Sequence, residues 1–216
     1  MDAAKETVGA VLDQIKTTLQ THGERLPKSL QEGNLVPGPA DGLVPTSFKP
    51  TTQLHVSYNG KDVELGNLFR VYECKVTPNL SFQREADVDS NTAYTLMLVD
   101  PDAPTPDDPK YAFWRHWVIT GLEPLSGEGN VVAATKQPVT SYHPPGPTKE
   151  SKPHRYLFLL FREPISHGLD LRSEDLGGDE FVQRRSFKPA EFAQKHGLTL
   201  VGINWMRCAA DEREDV

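Results

Sequence analysis

The chain has 216 residues and a formal net charge of -7, from 23 Lys and Arg set against 30 Asp and Glu. That balance repels phosphodiester backbones, and no run of basic residues stands apart to offset it, so nucleic acid is excluded as a partner. A composition of 37% hydrophobic and 25% charged residues is that of a folded chain with one sizeable core, while 18 Pro and 16 Gly disfavour a bundle of long helices and suit a β-rich fold with many turns.

Cys74 and Cys208 have neither metal-ligand spacing nor a dense framework around them, and they read as reduced packing thiols. Met1 to Thr7 carries Asp2, Lys5 and Glu6 and no apolar leader, and no later stretch is long and apolar enough to span a bilayer. The expectation is a cytoplasmic monomer with at most peripheral membrane contact.

Between Ala3 and Thr21 the residues Val8, Val11, Leu12, Ile15 and Leu19 recur at three- and four-residue steps, which predicts a helix started by Asp2 and ended by Gly23. Residues 1–25 are therefore read as a helical extension and 26–210 as the domain proper. The stripe of apolar residues either packs on that domain or docks on a partner. The segment 33–46, GNLVPGPADGLVPT, has no hydrophobic period and reads as a surface connection.

Strands begin at Gln53, where Leu54, Val56 and Tyr58 alternate with polar residues ahead of the turn dipeptide Asn59-Gly60, with a return strand from Lys61 towards Leu65. Further strands are expected at 93–99, 114–119, 156–161 and 198–205, separated by turn-forming residues as in a sandwich or barrel. A short late helix starts at Pro189, with Phe187 stapled onto Phe192, and ends at His196-Gly197. The tail 211–216 is acidic and expected to fray.

Three segments carry candidate chemistry. In Asp100-Pro101-Asp102-Ala103-Pro104, two prolines fix how two carboxylates leave the end of a strand. In Lys110 to Trp117, strict alternation puts Trp114, His116 and Val118 on one face and Arg115 and Trp117 on the other. The Pro-rich loop Tyr142 to Pro147 and the run Lys152-Pro153-His154-Arg155-Tyr156 feed a strand that places His154 and Tyr156 on one face and Arg155 on the other. Taken singly, each has a bland reading: an Asx turn, a core histidine, a surface loop.

Taken in order, DPDAP, KYAFWRHW and a Gly-Pro loop ending in PHRY resemble the phosphatidylethanolamine-binding protein family, from about Leu26 to Trp205. The N-terminal helix and Gly/Pro-rich stretch look most like its fungal carboxypeptidase Y inhibitor branch. The resemblance implies a mainly β fold, a β-sandwich of a larger and a smaller sheet with few peripheral helices. It also implies a cavity for phosphate, acetate or a phosphoethanolamine head group, lined by Asp100, Tyr111, His116, Gly146, Pro147, His154 and Tyr156. Asp102, Pro104, Trp114 and Arg155 are read as structural neighbours of that cavity, with Asp102 and Arg155 pairing beneath its floor. The loop Gly146 to Lys152 reads GPTKESK where the family has GPPKGTG, so Thr148 replaces a proline and Glu150 and Lys152 replace glycines.

In such a cavity His116 and His154 are expected to supply positive charge to an anion when protonated, with Asp100 orienting an imidazole. The family resemblance implies regulation of a serine carboxypeptidase or a kinase, with no cofactor, no metal and no catalysis. The alternative is a hydrolase or metal-dependent enzyme built on the Asp and two His residues. Against it, the chain has no Gly-x-Ser-x-Gly elbow, no His-Glu-x-x-His and no phosphate-binding loop.

Overall fold

The computed structural model of the protein describes residues 2–125, 132–166 and 168–212, and of residues 2–12, 15, 165 and 166 it describes the backbone alone. Two sheets face one another. The smaller has the order β2-β1-β4, formed by β1 (His55–Tyr58), β2 (Lys61–Asp62) and β4 (Asn79–Ser81). The larger has the order β3-β9-β8-β5-β6-β7, from β3 (Leu68–Arg70), β5 (Thr92–Asp100), β6 (Trp114–Pro124), β7 (Val132–Ala134), β8 (His154–Ser166) and β9 (Thr199–Ala209). All neighbours are antiparallel except β3 and β9. This is the expected mainly β architecture, with its hairpin at Asn59-Gly60, where both residues take positive φ (50° and 84°) as the two-residue turn requires. The return strand is shorter than expected, only Lys61–Asp62.

The larger sheet has both faces covered, which is why β5 is buried along its whole length and reads as a continuous apolar run. Tyr94, Leu96, Leu98, Tyr156, Phe158 and Leu160 look towards the smaller sheet and pack with Val56, Tyr58 and Phe82. Met97, Val99, Leu157, Leu159 and Ile203 look the other way and pack under Leu26, Leu30, Leu35, Val44 and Phe192.

That second layer overturns two expectations. The helix α1 runs from Asp2 to Glu32, straight through Gly23 and with Pro27 inside it. Local preference opposes this by about 1 kcal/mol for the glycine and about 3 kcal/mol for the proline. Tertiary packing prevails: Leu26 and Leu30 are 1% and 2% exposed, and the His22 ring bonds to the Ile203 carbonyl at 3.2 Å. Gly23 itself sits against Pro50. Nor is 33–46 a surface connection, since Leu35, Ala40, Leu43 and Val44 are buried and its turns are closed by local backbone bonds. Isolated apolar residues anchor a segment without producing any period. Val8, Val11, Leu12 and Ile15, the rest of the stripe, have side chains outside the described residues.

Gly33 and Gly66 hold Trp205 between them. A Cβ on either would approach the indole ring to 2.5 Å, and Gly66 also takes φ 104°, so neither position accepts a side chain. The late helix α2 (Pro189–Lys195) follows expectation, with the Phe187 and Phe192 rings 5.6 Å apart and His196 at its C-terminal boundary. Of the acidic tail, Asp211 accepts the Tyr72 N–H at 2.9 Å and Glu212 pairs with Arg70, so these two residues are held; 213–216 lie outside the described residues. Cys74 and Cys208 are free and buried.

Candidate functional site

The central strand β5 ends at Asp100, and both of its antiparallel neighbours begin there: β6 with Trp114 and His116, β8 with His154 and Tyr156. Topology therefore sets a carboxylate in the middle with an imidazole on either side. Asp100, His116 and His154 are 2%, 5% and 4% exposed. They close the inner end of a cavity of about 210 Å³ that Tyr111, Gly146 and Tyr156 also line. Of the residues expected there, Pro147 alone is absent from the lining; it is buried. Pro104 and Trp114 form part of the wall. Hollows of about 470 Å³ lie along β1 and β4 and beside α1, but neither holds a buried carboxylate between two buried imidazoles.

His116 reaches this position by a β-bulge. Trp117 pairs with Leu98 and Arg115 with Val99, so His116 has no partner on β5 and is the extra residue. The bulge resets the alternation: Trp117 and Ile119 pack towards the smaller sheet and Val118 towards the helical layer. The expected grouping of Val118 with His116, and of Trp117 with Arg115, is thereby corrected. The carbonyl released from the ladder accepts the His143 N–H at 2.9 Å.

Hydrogen bonds fix both rings. The Nδ1 of His116 lies 2.8 Å from the His143 carbonyl oxygen, which only accepts, so Nδ1 carries the proton and Nε2 presents a lone pair to the cavity. Burial pushes its pKa down to about 3. His116 is therefore a neutral acceptor at pH 7 and not the expected cation. The His154 Nδ1 donates to Asp100 Oδ2 at 2.8 Å, and the Asp102 N–H donates to Asp100 Oδ1 at 2.7 Å. Burial raises the Asp100 pKa, with the His154 hydrogen bond opposing that rise. Asp100 Oδ2 and His116 Nε2 stand 4.0 Å apart, too far to bond each other directly.

Positive charge comes from a residue outside the expected set. Arg185, at the mouth, lays its guanidinium over the Tyr111 ring at 4.2 Å and near Phe181 at 5.9 Å. Phe181, 56% exposed, and His143 complete the rim, with the Trp114 ring 5.4 Å and 5.1 Å from theirs. The run Arg184-Arg185-Ser186 was visible in the sequence, but its place at the mouth depends on the Ser186 and Phe187 backbone pairing with Tyr111 and Phe113. In the altered loop Thr148 joins the lining, while Lys152 crosses to Asp107 at 2.5 Å with both side chains exposed.

Beneath the floor Arg155 forks onto Asp102, with Nε 2.9 Å from Oδ2 and Nη2 2.5 Å from Oδ1. Its Nη1 also reaches the carbonyls of Gly33 and Asn34 at 3.0 and 2.7 Å, just past the end of α1. One side chain thus ties the DPDAP turn, β8 and the long helix together. Among the described residues no group of three His, Cys, Asp or Glu side chains is arranged to hold a metal ion, and no helix is long and apolar enough to cross a membrane.

Known proteins share this fold. A carboxypeptidase Y inhibitor, solved in complex with its cognate proteinase, superposes with a TM-score of 0.71 at 23% identity, over 88% of this chain and 97% of that one. The phosphatidylethanolamine-binding protein of Plasmodium vivax gives a TM-score of 0.65 at 20% identity, over 86% and 97%. At these identities the likeness is one of fold. Protein TERMINAL FLOWER 1 of Arabidopsis thaliana is 33% identical over 129 residues, 60% of this chain and 67% of its own length. The phosphatidylethanolamine-binding protein model matches residues 46–205, a span that begins ahead of β1, runs into β9 and contains every polar residue of the cavity. By that match, this chain belongs to the phosphatidylethanolamine-binding protein family.

Proposed function

We propose that the protein is a regulatory binding protein whose cavity takes a small ligand bearing a protonated phosphate or carboxyl group, the phosphoethanolamine head group included. The observation that carries this reading is the pairing of Asp100 Oδ2 with the bare His116 Nε2, 4.0 Å apart at the closed end. Two acceptors there demand a donor. A monohydrogen phosphate ester or a carboxylic acid supplies one, while its remaining oxygens accept from Arg185 and from loop amides near Gly146. A fully ionised ligand instead brings a second set of acceptors against Asp100 and the bare His116 Nε2, with no donor between them.

Affinity for phosphoethanolamine should accordingly fall as pH rises through the second ionisation of the phosphate, near pH ~6. Calorimetric titration at pH 5.5 and 8 tests this, with Asp100→Ala as the comparison. Tighter binding at pH 8, or binding unchanged in the variant, would overturn the assignment.

For the protein partner we favour a serine carboxypeptidase over a kinase, acting in the cytoplasm, because the inhibitor solved with its proteinase shares the fold across most of both chains. Titrating carboxypeptidase Y with the full chain tests it: progressive loss of peptidase activity without cleavage of the added protein is the expected result. Full activity at saturating protein removes this partner.

A further inference from the structure

Ser151 lies outside the cavity lining, on the loop that enters β8, and is partly exposed. Its Oγ is 2.8 Å from His154 Nε2, and His154 Nδ1 is 2.8 Å from Asp100 Oδ2. A carboxylate only accepts, so the shared proton on that side belongs to Nδ1, and Nε2 offers its lone pair to the serine hydroxyl. Asp100 is itself held by the Asp102 N–H, which stops the carboxylate turning away. A buried acid that fixes one tautomer, an imidazole, and a hydroxyl within reach of its outer nitrogen is the constellation that activates a serine. The hydroxyl also reaches the Lys152 carbonyl at 2.9 Å, and because it rotates it alternates between that acceptor and the imidazole.

We infer that Asp100, His154 and Ser151 form a proton relay that makes Ser151 nucleophilic towards activated carboxylic esters, so that each chain is acylated once, at a residue just outside the cavity lining that supplies its base. In that step the Ser151 Oγ forms a bond to the ester carbonyl carbon and the bond from that carbon to the alcohol oxygen breaks. The hydroxyl proton passes to His154 Nε2 and from there to the departing alkoxide, so an acyl-serine and an alcohol result with no change of oxidation state. His154 is the base, while Asp100 is a positioning residue that works through it. The sequence offered no sign of this, because a Ser-x-x-His spacing in a loop is common and the acid lies some fifty positions earlier, on another strand.

The test uses the full chain and p-nitrophenyl acetate, with peptide mass spectrometry to place the acetyl group. Acetylation is expected on Ser151, to vanish at that position in Ser151→Ala, and to slow by roughly tenfold or more in His154→Gln and Asp100→Asn. Asp100→Asn should also change the shape of the rate against pH, which a merely structural acid would not do. Labelling confined to lysines, or Ser151 labelled equally fast in urea-unfolded protein, overturns the relay. Phosphoethanolamine binding is measured alongside on the wild type, since acylation of Ser151 needs no bound ligand. Absent ligand binding in the wild type would therefore count against the cavity assignment and leave the relay standing.

Discussion

The Nδ1 of His116 sits 2.8 Å from the carbonyl oxygen of His143, and this one bond fixes both the ring and its tautomer. Because burial lowers the folded-state pKa to about 3 from an ordinary 6.5, the unfolded chain takes up the proton first as pH falls. Stability from this group is complete above pH 6.5 and drains away between 6.5 and 3. At about 1.4 kcal/mol per pH unit the loss over that window approaches ~5 kcal/mol. Urea midpoints at pH 7 and pH 4 should show a smaller acid-induced drop for His116→Gln than for the wild type; equal drops would show that the buried ring takes up its proton as readily as in the unfolded chain.

Asp100 runs the opposite way. Burial raises its pKa, so the folded state holds that proton more tightly and its ionisation removes stability as pH climbs from the unfolded value near 3.8 through the folded one. Asp100→Asn should therefore be more stable than the wild type at pH 7, read as a higher Tm. The same variant should bind phosphoethanolamine more weakly. A lower Tm would mean that the carboxylate is a net structural asset.

Arg155→Ala strands Asp102, which is 1% exposed, and frees the Gly33 and Asn34 carbonyls. Breaking a buried pair from one side costs about 3–5 kcal/mol. The double variant Asp102→Asn with Arg155→Met should recover part of that loss, read as a higher denaturant midpoint than Arg155→Ala alone. No recovery would place the main role of Arg155 on the two carbonyls.

Among the described side chains of α1 the buried ones begin at His22, and protein lacking residues 1–18 should keep its unfolding midpoint. Removal through Leu30 deletes Leu26 and Leu30 from the core, at about 2–5 kcal/mol each, and should abolish cooperative unfolding. If the shorter deletion loses carboxypeptidase inhibition while binding phosphoethanolamine normally, the first turns of α1 are the inhibitory arm. Inhibition that survives it locates the contact elsewhere.

Elements whose side chains obey one local rule were legible in the sequence. Tyr58-Asn59-Gly60-Lys61 gave the hairpin, Pro189 with Phe187 and Phe192 gave the late helix, and the three motifs foretold a cavity around Asp100. What escaped depends on contacts between distant segments. The bulge at His116 exists because a single residue is left over when β6 is laid on β5, and no alternation rule announces it. The helix crosses Gly23 and Pro27 because the sheet beneath it rewards Leu26 and Leu30. Arg185 and His143 join the cavity through backbone pairing of loops, and the charge of His116 follows from burial that only the folded chain supplies.

Trp205 has its own bearing on how the molecule is made. The strand that carries it lies between β3 and β8, and its ring fills the socket left by Gly33 and Gly66, residues from the first third of the chain. On the ribosome those early segments emerge long before their partner. Until β9 has cleared the exit tunnel, β3 lacks its partner in the sheet and the outer edge of β8 stands open, so the larger sheet is completed only once that strand is out.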